Sequence, residues 1–348
     1  MKTCPFRASA VHVGIKSAAL ALFAASSAHG NLNFNLIPEA GMPQYAIDGF
    51  NAAAAMWSQY LANNVTVNIQ IGYAALAANV IGETSSSLAD YTYAQTVQAL
   101  GNLRTSADDY TAYANLQSGN GYTRIINHTS NSPNGANSAT PYLDTMNRVG
   151  ISSANAKVLG LVPQDSSIDA TIRFSSNFSF DFNHAGPINP GQMDFVGVAA
   201  HEIGHALGFI SGVDDIDYLN GTYADNAFSS DLLDLFRYSP LSLSMSPGAT
   251  DYAADTRGKY FSLDGGTTAI AEFSTGVNFG DGSQASHWKD SLGIGIMDPT
   301  AGYGEKLDIS AIDLRAMDAL GYQIVPEPGS AAMLTVGFTL MAMFRRRK

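Results

Sequence analysis

Two patterns of apolar residues follow one another near the beginning of the chain. The first recurs at intervals of three and four residues, at Ile47, Phe50, Ala54, Trp57 and Leu61. This spacing places one apolar stripe on a helix and predicts a helix over residues 45–61. Apolar and polar residues then alternate over residues 65–73, and this period of two predicts a strand. Residues 74–150 are rich in Asn, Ser, Thr and Gly, so we predict short helices and loops there.

A second alternating stretch, residues 170–182, predicts another strand. The Ser and Asn residues at its polar positions favour an exposed edge strand, against which a peptide could lie. Further on, Asp194 is a suitable N-cap for a helix that ends at Gly208, where glycine lets the chain turn away sharply. The region after this glycine is predicted to be rich in loops, with a short helix at 231–238 and a hairpin around 264–266.

The final helix is predicted over residues 309–320. Its apolar positions have helical spacing and are Ile309, Ile312, Ala316, Met317 and Leu320. Ser310 and Asp313 have the spacing of an N-terminal capping pair. Gly321 is expected to end the helix.

The helix that follows Asp194 contains the sequence His-Glu-Ile-Gly-His. Side chains four positions apart share one face of a helix, so His201 and His205 can bind the same metal ion. Glu202 remains free to handle a proton. This HExxH pattern is typical of zinc hydrolases.

A catalytic zinc normally takes three protein ligands and leaves the fourth position to water. The motif supplies two, so a third ligand must come from elsewhere in the chain. A thermolysin-like site would use a downstream glutamate, and Glu272 and Glu305 are the candidates. Among the histidines, His128 and His184 lie in polar loops before the helix and are expected to be solvated. His287 is the remaining candidate.

His287 lies in the segment Ser-His-Trp-Lys-Asp, and Met297 follows ten residues later within Gly-Ile-Met-Asp-Pro. Together with the HExxH helix, this order resembles leishmanolysin-like metzincins over roughly residues 192–325. Ser211 occupies the position where the short metzincin pattern requires a histidine, which agrees with the long insertion of the leishmanolysin type. The resemblance implies that His287 is the third zinc ligand. It also implies that Met297 forms the hydrophobic floor beneath the metal, in a Met-turn.

The resemblance further implies an α+β fold of the metzincin type. We expect an N-terminal lobe, residues 31–209, with a mixed sheet and the active-site helix. A loop-rich C-terminal lobe, residues 210–325, would carry the Met-turn and the final helix. The implied activity is zinc-dependent hydrolysis of peptide bonds in a protein or peptide substrate, with Glu202 as general base. Tyr303 is a further candidate for stabilising the oxyanion.

A noncatalytic surface or matrix protein built on a protease-like fold is the alternative from a different class. The presence of Glu202 argues against it, because a scaffold has no physical need for a general base.

Both ends of the chain carry targeting patterns. Residues 1–30 combine basic residues, an apolar stretch and small residues, as in a secretory signal peptide. Residues 326–348 contain Pro-Glu-Pro, a short apolar stretch and a basic tail, and they resemble the PEP-CTERM sorting signal of Gram-negative bacteria. That resemblance implies transient inner-membrane association through a short transmembrane helix, processing by an exosortase-type enzyme, and a final place at the cell surface or outside the cell. A permanent tail anchor is the alternative.

Cysteine content and charge exclude cysteine-ligated metal sites and nucleic-acid partners. The only cysteine, Cys4, lies in the predicted signal peptide, so the mature chain has no thiolate to offer a metal. Residues 31–325 contain 11 basic and 29 acidic residues, a formal net charge of −18. Such a surface repels nucleic acids and excludes them as partners. The excess of aspartate is also compatible with Ca²⁺ binding in addition to the expected Zn²⁺.

Overall fold

A computed structural model describes residues 31–77 and 80–325 of the 348-residue chain. The predicted signal peptide, residues 1–30, and the predicted sorting segment, residues 326–348, lie outside the described residues. The described residues form a mixed structure of eight α-helices and several open sheets, which agrees with an α+β class. None of the helices within these ranges has the length and apolar character needed to cross a membrane.

The α-helices are α1 (Gln44–Ser58), α2 (Tyr93–Leu103), α3 (Ala107–Asn115), α4 (Ser153–Val158), α5 (Phe195–Ala206), α6 (Val213–Leu219), α7 (Pro240–Met245) and α8 (Ala311–Ala319). The strands are β1 (Asn33–Pro38), β2 (Thr66–Ala74), β3 (Gly82–Ser86), β4 (Leu88–Thr92), β5 (Tyr122–Ile126), β6 (Tyr142–Met146), β7 (Arg148–Ser152), β8 (Ala170–Ser175), β9 (Phe180–Asp181), β10 (Met193–Asp194), β11 (Ser230–Asp231), β12 (Arg237–Tyr238), β13 (Thr250–Asp251), β14 (Lys259–Phe261) and β15 (Ala271–Phe273).

Several predicted elements are confirmed with slightly different bounds. Helix α1 and strand β2 lie where the two N-terminal patterns predicted them. The short helix predicted at 231–238 is a 3₁₀ helix, Leu232–Phe236. Strands β14 and β15 form the predicted hairpin, and both Gly265 and Gly266 in its turn have positive φ. Their positive φ values are conformations that glycine adopts without a steric penalty.

The largest sheet has the strand order β1-β2-β8-β3. Strands β1, β2 and β8 are parallel, and β3 runs antiparallel to β8. The prediction of an edge strand over residues 170–182 is therefore wrong, because β8 lies between two neighbours and β3 occupies the edge. The predicted strand also ends at Ser175, and the two residues of β9 pair separately with β10.

The polar positions of β8 have a different physical cause. Ile172 and Phe174 are fully buried, whereas Arg173 between them is exposed and pairs with Glu39. The alternation therefore marks one face of the sheet that meets solvent, and it carries no information about which edge is free.

The prediction of short helices and loops for residues 74–150 is only partly right. Helices α2 and α3 are present, but strands β3 to β6 and the start of β7 lie in the same stretch. Strand β4 shows why they were missed, because most of its residues are exposed and leave no apolar pattern to detect.

Helices α1 and α5 pack against the large sheet and against each other. The ring centroids of Phe50 on α1, Phe174 on β8 and Phe195 on α5 lie 5.0 to 5.3 Å apart in edge-to-face contacts. Trp57 on α1 is fully buried, and its indole N–H donates to the Ala200 carbonyl at 2.8 Å. This aromatic core fixes α5, the helix with the HExxH motif, firmly over the sheet.

Candidate metal centre

Helix α5 begins as its sequence predicts. The Asp194 carboxylate accepts a hydrogen bond from the Gly197 amide at 3.0 Å, which is an N-cap contact. At the other end Gly208 has a φ of +110°, a conformation that favours glycine, and the chain turns away there. His201 and His205 therefore share one face of a helix whose two ends are both fixed.

Three imidazoles meet at this face of α5. The Nε2 atom of His205 lies 3.1 Å from that of His201 and 3.1 Å from that of His287, and the third separation is 3.2 Å. Among the described residues, these three histidines form the group of side chains that could hold a metal ion. The structure thus brings together the three predicted ligands, although His287 lies 82 positions beyond His205.

The opposite ring nitrogens face backbone carbonyl groups. Nδ1 of His201 lies 2.7 Å from the Ile296 oxygen, and Nδ1 of His205 lies 2.7 Å from the Phe209 oxygen. Because a carbonyl can only accept, these Nδ1 atoms carry a proton, and Nε2 is the ring nitrogen that can bind a metal. Burial lowers the pKa of His205 to about 3 and holds that of His287 well below its ordinary value, so both rings are neutral.

The donor set fits a zinc ion. Three lone pairs that converge within about 3.2 Å repel each other unless a cation lies between them. Tetrahedral zinc with Zn–N bonds of about 2.0 to 2.1 Å requires nitrogen separations of about 3.3 to 3.4 Å. The observed triangle is within a few tenths of an ångström of that requirement. The hydrogen bonds at Nδ1 are the contacts that orient imidazole ligands in metal sites.

Two anchors hold His287 in place. On one side, the Ser274 amide donates to the His287 carbonyl at 3.0 Å, and Trp288 stacks on Phe273 of β15 with 4.9 Å between ring centroids. On the other side, the half-buried Asp214 carboxylate accepts hydrogen bonds from the Ser286 amide and hydroxyl. The first anchor involves Trp288 of the His-Trp segment that the sequence analysis singled out. No sequence pattern predicted the contact with Asp214.

Met297 packs against helix α5. The Asp298 amide donates to the Gly295 carbonyl at 3.2 Å, which closes a tight turn around Met297. The Met297 side chain is fully buried, and its sulfur is so close to Gly204 that a Cβ there would collide with it. Gly204 lies on α5 between His201 and His205, so Met297 supports the helical turn that carries both imidazoles.

Glu202 points toward the large sheet. The Thr84 hydroxyl on edge strand β3 donates to its carboxylate at 2.6 Å. Glu202 is 8% exposed, and this burial raises the pKa of its carboxyl group. Thr84 is a contact that the sequence did not reveal, because only the pairing of β3 with β8 brings it to the helix.

The two glutamates of the thermolysin-like alternative lie elsewhere. The Glu272 side chain is half-exposed on β15, with Lys289 at 4.0 Å. Glu305 is exposed and accepts a hydrogen bond from the Gly302 amide. Neither belongs to the histidine cluster. Tyr303 is 58% exposed, and no described contact places it at the cluster.

The prediction that His128 and His184 are solvated is wrong. His128 is buried and stacks on Phe279, with 3.8 Å between ring centroids. His184 lies between two carboxylates, with Nδ1 at 2.7 Å from Asp194 and Nε2 at 3.1 Å from Asp308. A polar loop sequence does not reveal whether the loop folds back onto the protein, so these contacts could not be predicted from the sequence.

An open cleft of about 600 Å³ contains the cluster. The three histidines and Glu202 line it, together with residues 80–84 at and before edge strand β3. Asp214, Asp215 and Asp231 also line the cleft and give this part of it an acidic character.

Comparison of the chain with protein-family models, with curated proteins and with solved structures finds no match. The resemblance to leishmanolysin-like metzincins therefore rests on the motifs and their spacing.

Proposed function

We propose that this chain is a zinc endopeptidase of the metzincin type. The observation that carries the proposal is the convergence of the Nε2 atoms of His201, His205 and His287 within 3.1 to 3.2 Å, beside Glu202 in an open cleft. Three imidazoles with one free coordination position are the ligand set of catalytic zinc sites. The buried Met297, which packs against Gly204 of the same helix, agrees with the Met-turn of that group of proteases.

The three imidazoles would hold a zinc ion, which when bound would supply the Lewis acidity that lowers the pKa of water and polarises the scissile carbonyl. Glu202 acts as general base, accepts a proton from the attacking water and delivers it to the leaving amine nitrogen. The Thr84 hydrogen bond holds the carboxylate in a fixed position for both transfers.

We propose that the substrate binds along edge strand β3. Strand β3 lies at the end of the sheet order, so one side of its backbone has no strand partner among the described residues and could pair with an extended peptide. Its residues line the same cleft as the histidines. A peptide paired with β3 would run directly past Glu202, which favours a peptide bond as the substrate.

We also propose that the protein is exported from the cell. The signal peptide pattern and the Pro-Glu-Pro sorting pattern favour an enzyme that acts at the cell surface or outside a Gram-negative cell. Its partners would be protein or peptide substrates and, during sorting, an exosortase-type enzyme.

Metal analysis and a proteolysis assay test the function. The purified protein is expected to contain one zinc per chain and to hydrolyse casein. A chelator should abolish hydrolysis, and added zinc should restore it. Zinc-free protein that still hydrolyses casein would overturn the proposed mechanism. Zinc-loaded protein without hydrolysis of any protein substrate would support the noncatalytic alternative.

A further inference from the structure

The carboxylate of Asp313 lies at the junction of three segments. It belongs to α8, where it forms a capping box with Ser310, and it is fully buried. Beyond that cap, it accepts a hydrogen bond from the Ile296 amide at 2.9 Å and from the Trp288 indole N–H at 2.8 Å. The Met297 amide also points to it at 3.4 Å. One side chain therefore joins the final helix to the Met-turn and to the residue after His287.

The partners of Asp313 are themselves linked to two of the three imidazoles, His201 and His287. The peptide between Ile296 and Met297 directs its N–H to Asp313 and its carbonyl to Nδ1 of His201 at 2.7 Å. Trp288, held by the same carboxylate, is directly bonded to His287. The negative charge of Asp313 polarises the intervening peptide and strengthens its carbonyl as an acceptor for His201.

The four contacts require a carboxylate. Oδ1 accepts from the Trp288 indole and the Met297 amide, and Oδ2 accepts from the Ile296 and Ser310 amides. All four partners are donors. An asparagine in either orientation would turn its NH₂ group toward two of them and leave buried donors unpaired. The fit is also close, because a Cβ at Gly295 would collide with Asp313 and Ser310.

We propose that Asp313 is a positioning residue that sets the coordination geometry of His201 and His287 through the Met-turn and Trp288. This inference rests on the proposed zinc site and adds a residue that acts through the ligands without touching the metal. Partners of this kind typically change metal affinity by about 10- to 100-fold.

The test compares two buried aspartates with the same capping role. Asp109 forms the capping box of α3 with Ser106 and is 8% exposed. Its carboxylate oxygen accepts from the amides of Thr105 and Ser106, and no described hydrogen bond joins it to the histidine cluster. Asp109→Asn is therefore the matched control for Asp313→Asn. A purely structural cap predicts the same behaviour for both variants.

Zinc affinity of the full-length protein is measured by competition with a chromophoric chelator, and thermal unfolding of the zinc-free protein is measured separately. We expect Asp313→Asn to bind zinc about 10- to 100-fold more weakly, with Asp109→Asn within about twofold of the wild type. The visible spectrum of the cobalt-loaded protein, which reports ligand geometry, should change only in Asp313→Asn.

Trp288→Phe provides a second route if Asp313→Asn does not fold. It keeps the capping box and an aromatic ring against Phe273, but removes the indole donor. It should also weaken zinc binding and alter the cobalt spectrum. Wild-type zinc affinity and an unchanged cobalt spectrum in the folded variants would overturn the role of Asp313. Absence of zinc binding by the wild type would instead overturn the proposed function.

Discussion

The hydroxyl of Thr84 on edge strand β3 donates a hydrogen bond to the Glu202 carboxylate on α5, with 2.6 Å between Oγ1 and Oε2. The strand that we propose as the docking edge for a peptide therefore also contacts the proposed general base. Movement of β3 would change the substrate position and the carboxylate position together. The geometry of the candidate site therefore depends on both the sheet and helix α5.

Thr84→Val removes this hydrogen bond while it preserves the shape of the side chain. A hydrogen bond to a charged group contributes about 1.5 to 3 kcal/mol, so we expect kcat to fall by roughly tenfold or more with unchanged zinc content. Steady-state hydrolysis and metal analysis check this. Thr84→Ser retains the hydroxyl and should keep most of the activity. Wild-type turnover in the valine variant would show that Glu202 does not need this contact.

Glu202→Gln is expected to keep the metal and to lose hydrolysis, because the carboxylate serves as a base and is not a ligand. Removal of a general base costs on the order of a hundredfold or more in rate. Zinc content and casein hydrolysis are measured on the same sample. An active glutamine variant would contradict the assigned role. Loss of zinc would indicate that the carboxylate belongs to the metal site.

His287→Ala tests the third ligand. With two imidazoles left, zinc binding should weaken severely and hydrolysis should disappear, since zinc sites of this type need three protein ligands. Glu272→Ala, which removes a half-exposed carboxylate of the thermolysin-like alternative, is the control and should bind zinc normally. The reverse result, with zinc lost only in the Glu272 variant, would exclude His287 as the ligand.

The parts of this structure that could be predicted from sequence are those whose causes are local. Asp194 caps α5, Gly208 ends it, and the spacing of His201 and His205 on one face follows from helix geometry alone. The same holds for α8, where a capping pair and helical spacing lie within a dozen residues.

Other parts depend on pairing between distant segments. Edge strand β3 is rich in Ser and Thr and acquires its position only by pairing with β8, almost 90 residues later. The contacts of Asp313 come from three separate segments, and its capping signature explains only one of them. The contact between His287 and the histidines of α5 could be predicted only from the resemblance to leishmanolysin-like metzincins. No local pattern determines a contact between residues 82 positions apart.

Gly204→Ala tests the packing of Met297 beneath α5. A Cβ at this position would collide with the Met297 sulfur and would lie 3.3 Å from the fully buried Trp57 ring. Overpacking costs about 1 to 3 kcal/mol, whereas alanine gains about 1 kcal/mol over glycine in a helix. We therefore expect a net loss of up to about 2 kcal/mol in the free energy of unfolding, measured in urea. Gly191→Ala, where a Cβ meets no atom within 4 Å, should be close to neutral. Equal stability of both variants would show that displacing Met297 costs no more than alanine gains over glycine in the helix.

Asp318→Asn should change how stability depends on pH. Asp318 on α8 is 4% exposed, and its Oδ1 is buried without a hydrogen-bond partner among the described residues. Burial raises the pKa of its carboxyl from the ordinary 3.8 to about 7, the nearby Asp109 and Asp108 add to the rise, and the Ser106 hydroxyl opposes it. The folded state therefore holds this proton more tightly than the unfolded chain does.

The sign of the effect follows from this difference in pKa. Below about pH 4 the carboxyl is protonated in both states and costs nothing. As the pH rises toward 7, the unfolded chain ionises freely while the folded protein does not, so stability falls by an amount on the order of a few kcal/mol. The asparagine variant lacks this loss. Urea unfolding at pH 5 and pH 8 should show its advantage over the wild type increasing with pH. Asp48→Asn, which changes an exposed carboxylate on α1, is the control and should not reproduce that trend. A constant difference between Asp318→Asn and the wild type across this range would mean that the Asp318 carboxyl ionises in the folded protein at its ordinary pH.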